Sequence, residues 1–342
     1  MRILIAATVT PFLHGGADYH IQGLLNALLE AGHEAELLRL PFRFEPEEDV
    51  LRTMSYAGQL DMAKPNGIAI DRVISLQFPA WGIRHPDHWA WIMHQHRAVY
   101  ELHERLPPSA ERNRLRDDVV AFDNRTLGRA QRLFANSQRV ADRLVQYNGL
   151  HATPLYHPPT HAERFFCAEP EPYIFYPSRI ESLKRQSLLV EAAQYMRSPL
   201  RILIAGDGGQ LPALHEQIAR LGVADRVRLL GRISEAEKLA FYAHSTAVAF
   251  PAFDEDYGYI TLEAMLSSKP VLTCTDSGGP LEFIRHEENG WVEAPDARAL
   301  AERLDWLHAH RNEVIQLGQA ARASYTEKNI SWQNVVSQLT QK

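Results

Sequence analysis

Two glutamates stand eight positions apart around a predicted helix start, in the segment 253–265. Glu255 lies in the loop that follows an apolar strand, whereas Glu263 lies more than one turn inside the helix. Carboxylates placed in this way could accept hydrogen bonds from hydroxyls at opposite ends of one ligand, with a diphosphate between them. Acidic residues near a helix start also complement the helix dipole, and for Asp256 this alternative is equally good.

The start of that helix is suited to an anion. Its first residues, Tyr259 and Ile260, offer backbone N–H groups that have no partner within the helix, and a helix N-terminus carries about half a unit of positive charge. Gly258 allows a ligand to approach this backbone closely. The segment therefore predicts the binding of a phosphate or diphosphate.

Two cations, Arg179 and Lys184, follow a strand predicted at 173–176. Fixed cations that face a diphosphate stabilise the charge that develops on a leaving phosphate oxygen. Taken alone, such a pair is more often two solvated surface charges. The anion-binding helix start in the same half of the chain favours the functional interpretation.

Glycines mark two further loops. Gly15 and Gly16 stand between the first predicted strand and helix, where open α/β sheets bind ligands, although any tight turn would also favour them. Gly206 opens a glycine-rich turn, but Leu211 occupies the last glycine position of a G-x-G-x-x-G fingerprint. This departure argues against a dehydrogenase.

Strand-like runs alternate with segments of helical period along most of the chain, which predicts parallel sheets with helical crossovers and the α/β class. The strands are expected at 2–8, 34–40, 72–76, 173–176, 200–205, 227–230 and 246–250. The stretch 101–146 is expected to be helical, and Ser234 with Glu237 predicts a capping box at a helix start. The proline- and acid-rich stretch 167–172 predicts the interdomain linker.

The composition excludes several classes of protein. The chain has 342 residues and a formal net charge of −6, which disfavours nucleic-acid binding through bulk positive charge. A hydrophobic fraction of 45% is enough for two packed cores and excludes general disorder. Two cysteines, Cys167 and Cys274, give no disulfide framework and fit a reducing compartment. Since no stretch reaches the ~20 apolar residues of a membrane span or has a signal peptide's apolar region, we expect a cytoplasmic protein that could still contact the inner face of the membrane.

Glu255 and Glu263 form an E-x7-E pattern, here EDYGYITLEA, that resembles the retaining family 4 glycosyltransferases. Other motifs agree in order and spacing: YPSRIESLKR at 176–185, IAGDGG at 204–209, LLGRI at 229–233, DSGGPLE at 276–282 and NGW at 289–291. The resemblance covers nearly all of residues 173–300. Over the first half it is thinner and rests on two pairs, Gly15-Gly16 and Gly32-His33.

The resemblance implies the GT-B architecture, in which two Rossmann-like domains face each other across a central cleft. The N-terminal domain would span residues 1–166, take back a C-terminal helix at about 328–342, and bind the acceptor. The second domain, residues 173–327, would bind the nucleotide-sugar donor. The expected last helix begins near Ser331-Trp332.

The resemblance also implies roles for individual residues. Arg179 and Lys184 would bind the donor diphosphate, Glu255 the hydroxyls of the donor sugar, and Glu263 the ribose. The loop with Gly15 and Gly16 would close over the diphosphate and the acceptor side. The remaining expected substrate-binding residues are Gly206, Arg232, Ile233, Gly258, Tyr259 and Ile260, of which Arg232 and Ile233 would contact a uridine, guanosine or thymidine base.

The acceptor side departs from the pattern of the family that the chain resembles, because Gln77 replaces a histidine that family members often place after the third strand. The segment 81–96 holds four histidines and three tryptophans. If His94 and His96 lie on a strand, both rings share a face and a metal site is conceivable, but no acid or cysteine close to them completes a ligand set. We expect no metal here, and instead a wall of aromatic rings that stack on acceptor sugars, with His94 or Arg97 donating hydrogen bonds. The acceptor-side role of the replaced histidine passes to His94, which we assign to catalysis, or to Gln77, or is absent.

The sequence therefore predicts an enzyme that moves a hexosyl or deoxyhexosyl unit from a nucleoside diphosphate sugar to a hydroxyl of a saccharide or lipid-linked acceptor. It would retain the anomeric configuration, need neither metal nor cofactor, and serve cell-surface polysaccharide or glycoconjugate synthesis. A GT-B phosphorylase, a nucleotide-sugar epimerase and a non-catalytic nucleotide-sugar-binding protein remain alternatives.

Overall fold

A computed structural model describes residues 1–12, 15–105 and 107–341 of the chain. The chain forms two compact units: Met1–His157 together with Ser331–Lys342, and Pro158–Ile330. Each unit contains one six-stranded sheet whose strands are all parallel, so the predicted α/β class is confirmed. Within the described ranges, no helix combines the length and apolar character that crossing a membrane requires.

The sheet of the first unit has the strand order β2-β1-β3-β4-β5-β6. Its strands are β1 (Arg2–Val9), β2 (Glu34–Pro41), β3 (Arg72–Ser75), β4 (His88–Ile92), β5 (Arg132–Ala135) and β6 (Thr153–Pro154). The helices are α1 (Gly16–Glu30), α2 (Glu47–Gln59), α3 (Ala110–Leu127) and α4 (Gln138–Asn148). The prediction of an all-helical stretch at 101–146 was wrong, because β5 lies between α3 and α4.

The sheet of the second unit has the order β12-β11-β10-β7-β8-β9. Its strands are β7 (Tyr173–Pro177), β8 (Arg201–Ala205), β9 (Val227–Gly231), β10 (Ala247–Ala249), β11 (Val271–Cys274) and β12 (Gly290–Glu293). Its helices are α5 (Gln186–Ala192), α6 (Leu211–Leu221), α7 (Glu235–His244), α8 (Tyr259–Leu266), α9 (Ala297–Ala309) and α10 (Arg311–Glu327). The capping box at the start of α7 is confirmed, since Ser234 Oγ accepts from the Glu237 N–H and the Glu237 carboxylate accepts from the Ser234 N–H.

The last helix, α11 (Trp332–Leu339), packs in the first unit. Val335 and Leu339 of α11 share a buried cluster with Ile21 and Leu24 of α1 and with one face of β1. The other face of β1 contributes to a separate cluster. Helices therefore cover both faces of this sheet, as the near-continuous apolar sequence of β1 requires.

The boundary between the units lies before the predicted linker. The Ala168 and Glu171 N–H groups donate to the carbonyls of Ala243 and His244, at 3.1 and 2.7 Å. The Phe165 ring packs edge-on against Tyr242 at 5.7 Å between centroids. Prolines and acids in 167–172 predicted the interdomain linker, but backbone hydrogen bonds and the nearby Phe165 ring attach this stretch to the second unit.

The first unit also buries a carboxyl group, that of Asp123 on α3. It accepts hydrogen bonds from Trp81 Nε1 and the Tyr100 hydroxyl, both at 2.8 Å. Burial raises the pKa of Asp123 to about 7, against the effect of these two hydrogen bonds. The folded protein therefore holds a proton that the unfolded chain releases near pH 4.

This proton predicts a pH-dependent contribution to stability. Between about pH 4 and 7 the folded state binds more protons at Asp123 than the unfolded state, so this contribution is present at low pH and is lost as the pH rises through the folded pKa. Relative to the variant Asp123→Asn, the free energy of unfolding of the wild type should fall by up to about 1.4 kcal/mol per pH unit in that range. Urea unfolding at several pH values measures this change in the free energy of unfolding. Asp118→Asn, an exposed change on the same helix, is the control, and parallel profiles for all three proteins would contradict the assignment.

Candidate active site

The loops that follow four strands of the second sheet meet at one edge of that sheet. The Ser178 N–H, after β7, donates to Ala205 O at the end of β8, at 2.9 Å. The Phe253 N–H, after β10, donates to Leu183 O at 2.7 Å, and the Glu255 N–H donates to Ser277 O, after β11, at 2.9 Å. Because parallel strands end at the same edge, residues far apart in sequence are brought together there.

Lys184 and Glu255 form an ion pair at this edge. Lys184 Nζ lies 2.5 Å from Glu255 Oε2, and the two side chains are 17% and 19% exposed. The Tyr176 hydroxyl donates to the Lys184 carbonyl and fixes the turn that carries the ammonium. The sequence placed both residues in the site but did not predict that they contact each other.

Arg179 lies at the same edge, on an exposed part of the loop after β7. Gln186 Nε2 donates to its carbonyl at 2.8 Å. Within the described part of the chain, its guanidinium has no ion pair or hydrogen bond. Of the two expected diphosphate cations, Arg179 thus presents its charge to solvent, whereas Lys184 is paired with Glu255.

Gly206 allows the loops after β7 and β8 to approach each other. Its φ is +137°, and a Cβ at this position would lie only 1.9 Å from Ser178 O. The sequence assigned Gly206 to substrate binding. Its position gives it in addition a packing role, since a side chain here would separate the two loops that carry Arg179 and the Gly-rich turn.

The start of α8 has the form that the sequence indicated. Gly258, its N-cap, has φ +82° and no side chain that could cap the helix. A Cβ there would lie 3.0 Å from both Phe250 and Pro280, so the position is also closely packed. Tyr259 and Ile260 open the helix and are half-buried. A helix start with glycine at the N-cap favours an anion, because the cap has no side chain that competes for the site.

Glu263 is buried inside α8 and is held by two residues of α7. The Tyr242 hydroxyl donates to its Oε2 at 2.6 Å, and Lys238 Nζ donates to its Oε1 at 3.1 Å. Burial raises the pKa of Glu263, while Lys238 and Tyr242 act in the opposite direction. Lys238 also pairs with Glu235 at 3.1 Å. Lys238 and Tyr242, one helical turn apart, were not singled out by the sequence; their shared helix face was the available signal.

Arg232 and Ile233 follow β9, next to the Gly206 turn. The Gly206 N–H donates to the Gly231 carbonyl at 2.7 Å. Arg232 Nε lies 3.3 Å from Asp207 Oδ2, and its side chain is 85% exposed. Ile233 is half-buried. Their assignment to base recognition stays a prediction.

The expected acceptor-side residues lie in the first unit. Gly15 is the N-cap of α1, and its N–H donates to Asp18 Oδ2 at 3.1 Å; Gly16 is the first residue of that helix. The two preceding residues lie outside the described part of the chain. His94 is half-buried, with Nδ1 2.7 Å from the Gln95 carbonyl, and Gln77 Oε1 accepts from the Thr8 N–H at 3.1 Å.

The prediction that the tryptophans of segment 81–96 stack on acceptor sugars was wrong. Trp81, Trp89 and Trp91 are buried in the first unit, where they cannot stack on a sugar. Their N–H groups bind Asp123 Oδ1, Asp87 Oδ1 and the Leu155 carbonyl. Aromatic content alone does not distinguish a core from a binding surface.

Two histidines of this segment, His88 and His96, also serve the core. His94 and His96 follow β4 and do not lie on it. His88 Nε2 lies 2.8 Å from Ser75 Oγ, and the His96 ring stacks on Phe78 at 5.2 Å. Arg97, the other expected donor, lies 2.5 Å from Glu101. Among the described residues, no group of three His, Cys, Asp or Glu side chains could hold a metal ion.

Comparison with known proteins gives a consistent result. Residues 160–324 match the family model "Glycosyl transferases group 1". A D-inositol 3-phosphate glycosyltransferase of Streptomyces bingchenggensis is 27% identical in an alignment of 229 residues that covers 59% of this chain and 50% of that protein. The chain thus matches only half the length of this curated relative.

Two solved structures resemble the whole chain. Anabaena HepE, in complex with UDP and glucose, gives a TM-score of 0.72 at 19% identity and covers 98% of both chains. Sucrose-phosphate synthase of Thermosynechococcus elongatus gives 0.77 at 17% identity, over 99% of this chain and 97% of that one. These likenesses, together with the two parallel sheets, confirm the expected GT-B fold.

The close approach at Gly206 predicts a specific loss of stability. Gly206→Ala should lower the free energy of unfolding by about 3 kcal/mol, because the new methyl group meets a backbone carbonyl and the backbone conformation disfavours a side chain. Gly222→Ala is the control: Gly222 also has a positive φ, +66°, but open space around its Cβ position, and should cost about 1 kcal/mol. Equal losses in urea unfolding would contradict the packing role of Gly206.

Proposed function

We propose, from the match of residues 160–324 to the group 1 glycosyl transferases and from the geometry of the site, that this chain transfers a sugar from a nucleoside diphosphate sugar to a hydroxyl of an acceptor, with retention of the anomeric configuration. The acceptor is a saccharide or a lipid-linked saccharide. The enzyme works in the cytoplasm, at or near the inner face of the membrane, in polysaccharide or glycoconjugate synthesis.

One observation carries this proposal: Lys184, Glu255 and the N-terminal end of α8 lie on loops joined by backbone hydrogen bonds, with Arg179 on the same loop as Lys184. This set combines positive groups for a diphosphate with a carboxylate for sugar hydroxyls. Glu263 lies deeper in α8, where it would bind the ribose. The relative HepE was solved with UDP and glucose, which supports a donor of this chemical class.

The positive groups lower the barrier to departure of the diphosphate. When the bond between the anomeric carbon and the phosphate oxygen breaks, negative charge grows on the leaving oxygen. Arg179, Lys184 and the α8 N–H groups hold positive charge where that oxygen departs, and such fixed groups are worth several kcal/mol. Since this charge is supplied by the chain, transfer proceeds without a bound metal ion or a further cofactor.

Retention of configuration follows from attack on the face that the diphosphate leaves. The acceptor oxygen forms its bond to the anomeric carbon while the bond to the phosphate oxygen breaks, through an oxocarbenium-like state, and the departing phosphate oxygen takes the acceptor proton. Retaining glycosidases instead use a carboxylate nucleophile. The pairing of Glu255 with Lys184 favours a carboxylate that binds sugar hydroxyls over one that attacks carbon.

The first unit supplies the acceptor side. His94 and the loop with Gly15 and Gly16 lie at strand and helix ends of the first sheet, where open α/β sheets bind ligands. Gln77 stands at the end of β3, and its Oε1 is already bound by Thr8. His94 therefore takes the acceptor-side role, and its ring donates or accepts a hydrogen bond with the attacking hydroxyl.

A donor screen tests the function. UDP, GDP and TDP are first added to the purified chain in thermal-shift measurements, and the nucleotide that stabilises it selects the sugar donors for transfer assays with saccharide acceptors. We expect one nucleotide to stabilise the protein. We also expect the transfer assays to give a product whose new linkage, determined by NMR, has the donor's anomeric configuration. An epimerised sugar formed without acceptor, a need for inorganic phosphate, or binding without turnover would instead support the three alternatives.

Arg179 and Lys184 should carry most of the leaving-group stabilisation. Arg179→Ala and Lys184→Ala should each reduce the turnover number at least ~100-fold, because a cation facing the departing diphosphate is lost. Arg201→Ala is the control, since Arg201 begins β8 and lies at the opposite edge of the same sheet. Near-normal turnover of either variant, measured with saturating donor, would remove that residue from the diphosphate site.

A further inference from the structure

The two residues of the Lys184–Glu255 ion pair each have a neighbour in a rare backbone conformation. Arg185, directly after Lys184, has φ +54°, and Asp254, directly before Glu255, has φ +46°. Residues with a Cβ seldom adopt this left-handed region, and they persist there only when the surrounding structure holds them. Two such residues, adjacent to the two members of one ion pair, need a structural cause.

Asp276 contacts both of them. Its Oδ1 and Oδ2 accept from Arg185 Nη1 and Nη2 at 2.8 and 2.7 Å, a two-point contact. Its backbone carbonyl accepts from the Asp254 N–H at 2.9 Å. Asp276 lies in the loop after β11, so one residue connects that loop to the loops after β7 and β10.

The contact between Asp276 and Arg185 has a fixed geometry. A paired fork of two N–H···O bonds fixes both the distance and the orientation of the guanidinium. The guanidinium also lies 4.8 Å from the centroid of the Phe253 ring, and the Phe253 N–H donates to Leu183 O. The side chains of Arg185 and Asp276 are 22% and 32% exposed, and each is occupied by the other.

We propose that Asp276 is a positioning residue that acts through Arg185 and Asp254 to set the separation of Lys184 and Glu255. The effect on turnover rests on the proposed function, whereas the effect on the separation of Lys184 and Glu255 does not. Lys184 faces the departing phosphate and Glu255 the sugar hydroxyls, so their separation decides whether both contact one donor. Displacements of the order of 1 Å in such groups reduce rates by about 10²-fold.

Three variants separate positioning from folding. Asp276→Asn keeps the shape and the backbone carbonyl of Asp276 but loses the charge and one acceptor of the fork. Arg185→Gly removes the fork and relaxes the backbone, because glycine adopts a positive φ without steric cost. Arg185→Lys keeps the charge with a single point of contact. The control is Glu293→Gln, which neutralises the partner of Arg303 in an ion pair of similar distance, 2.7 Å, in the same unit.

We expect Asp276→Asn and Arg185→Gly to lower the turnover number by about 10-fold to 100-fold, with Arg185→Lys intermediate and Glu293→Gln unchanged. The midpoint of thermal unfolding of Arg185→Gly should stay within a few degrees of wild type. Crystal structures of the first two variants should show the Lys184 ammonium and the Glu255 carboxylate beyond hydrogen-bond distance.

An intact 2.5 Å pair in those crystal structures would overturn the proposal, as would wild-type turnover in both variants. If the wild type turns over no nucleoside diphosphate sugar, the proposed function fails instead. The crystal structures then decide the positioning role alone, since the Lys184–Glu255 separation requires no substrate to be measured.

Discussion

The ion pair between Lys184 and Glu255 joins two loops that follow different strands of the second sheet, and the rest of the site is arranged around it. An ammonium and a carboxylate 2.5 Å apart, each less than one-fifth exposed, attract strongly but also lose much hydration. The pair is therefore sustained by its surroundings, which include the Tyr176 hydroxyl on the Lys184 carbonyl and the backbone bonds of Glu255 with Ser277 and Gly279.

The two glutamates of the E-x7-E pattern differ in their physical state. Glu255 stands in a loop and pairs with one cation, whereas Glu263 is buried in α8 and accepts hydrogen bonds from Lys238 and Tyr242. A buried carboxylate without such partners would cost several kcal/mol. Glu263 therefore also joins α7 to α8, and a loss of nucleotide binding after its removal would combine the lost contact with a displaced helix.

The sequence was sufficient for the class of fold and for the strands β1, β2, β3, β7, β8, β9 and β10, because their periodicity depends on neighbouring residues. It assigned no bounds to the other strands that the structure describes, which are β4, β5, β6, β11 and β12. It failed at β5, where four residues between two arginine-rich helices give no period of their own. It failed again at Trp81, Trp89 and Trp91, since an aromatic side chain has the same local signature in a core as on a sugar-binding surface. Burial depends on which elements pack together, and that information is tertiary.

The same distinction separates the residues of the candidate site. Arg179, Lys184, Glu255 and Glu263 could be located from the sequence because the chemistry of a diphosphate and of hydroxyl groups demands those types at a strand exit and a helix start. The residues that hold them or their chain neighbours could not. Lys238 and Tyr242 lie 25 and 21 positions from Glu263, and Asp276 lies 91 positions from Arg185, the neighbour of Lys184. For Gly206 the sequence was sufficient in part. Its glycine-rich turn resembles a ligand-binding loop, but its packing role depends on the close approach of the Ser178 carbonyl, which is tertiary information. A glycine-rich turn is thus evidence of close backbone approach first, and of a bound phosphate only when cations and uncapped N–H groups stand beside it.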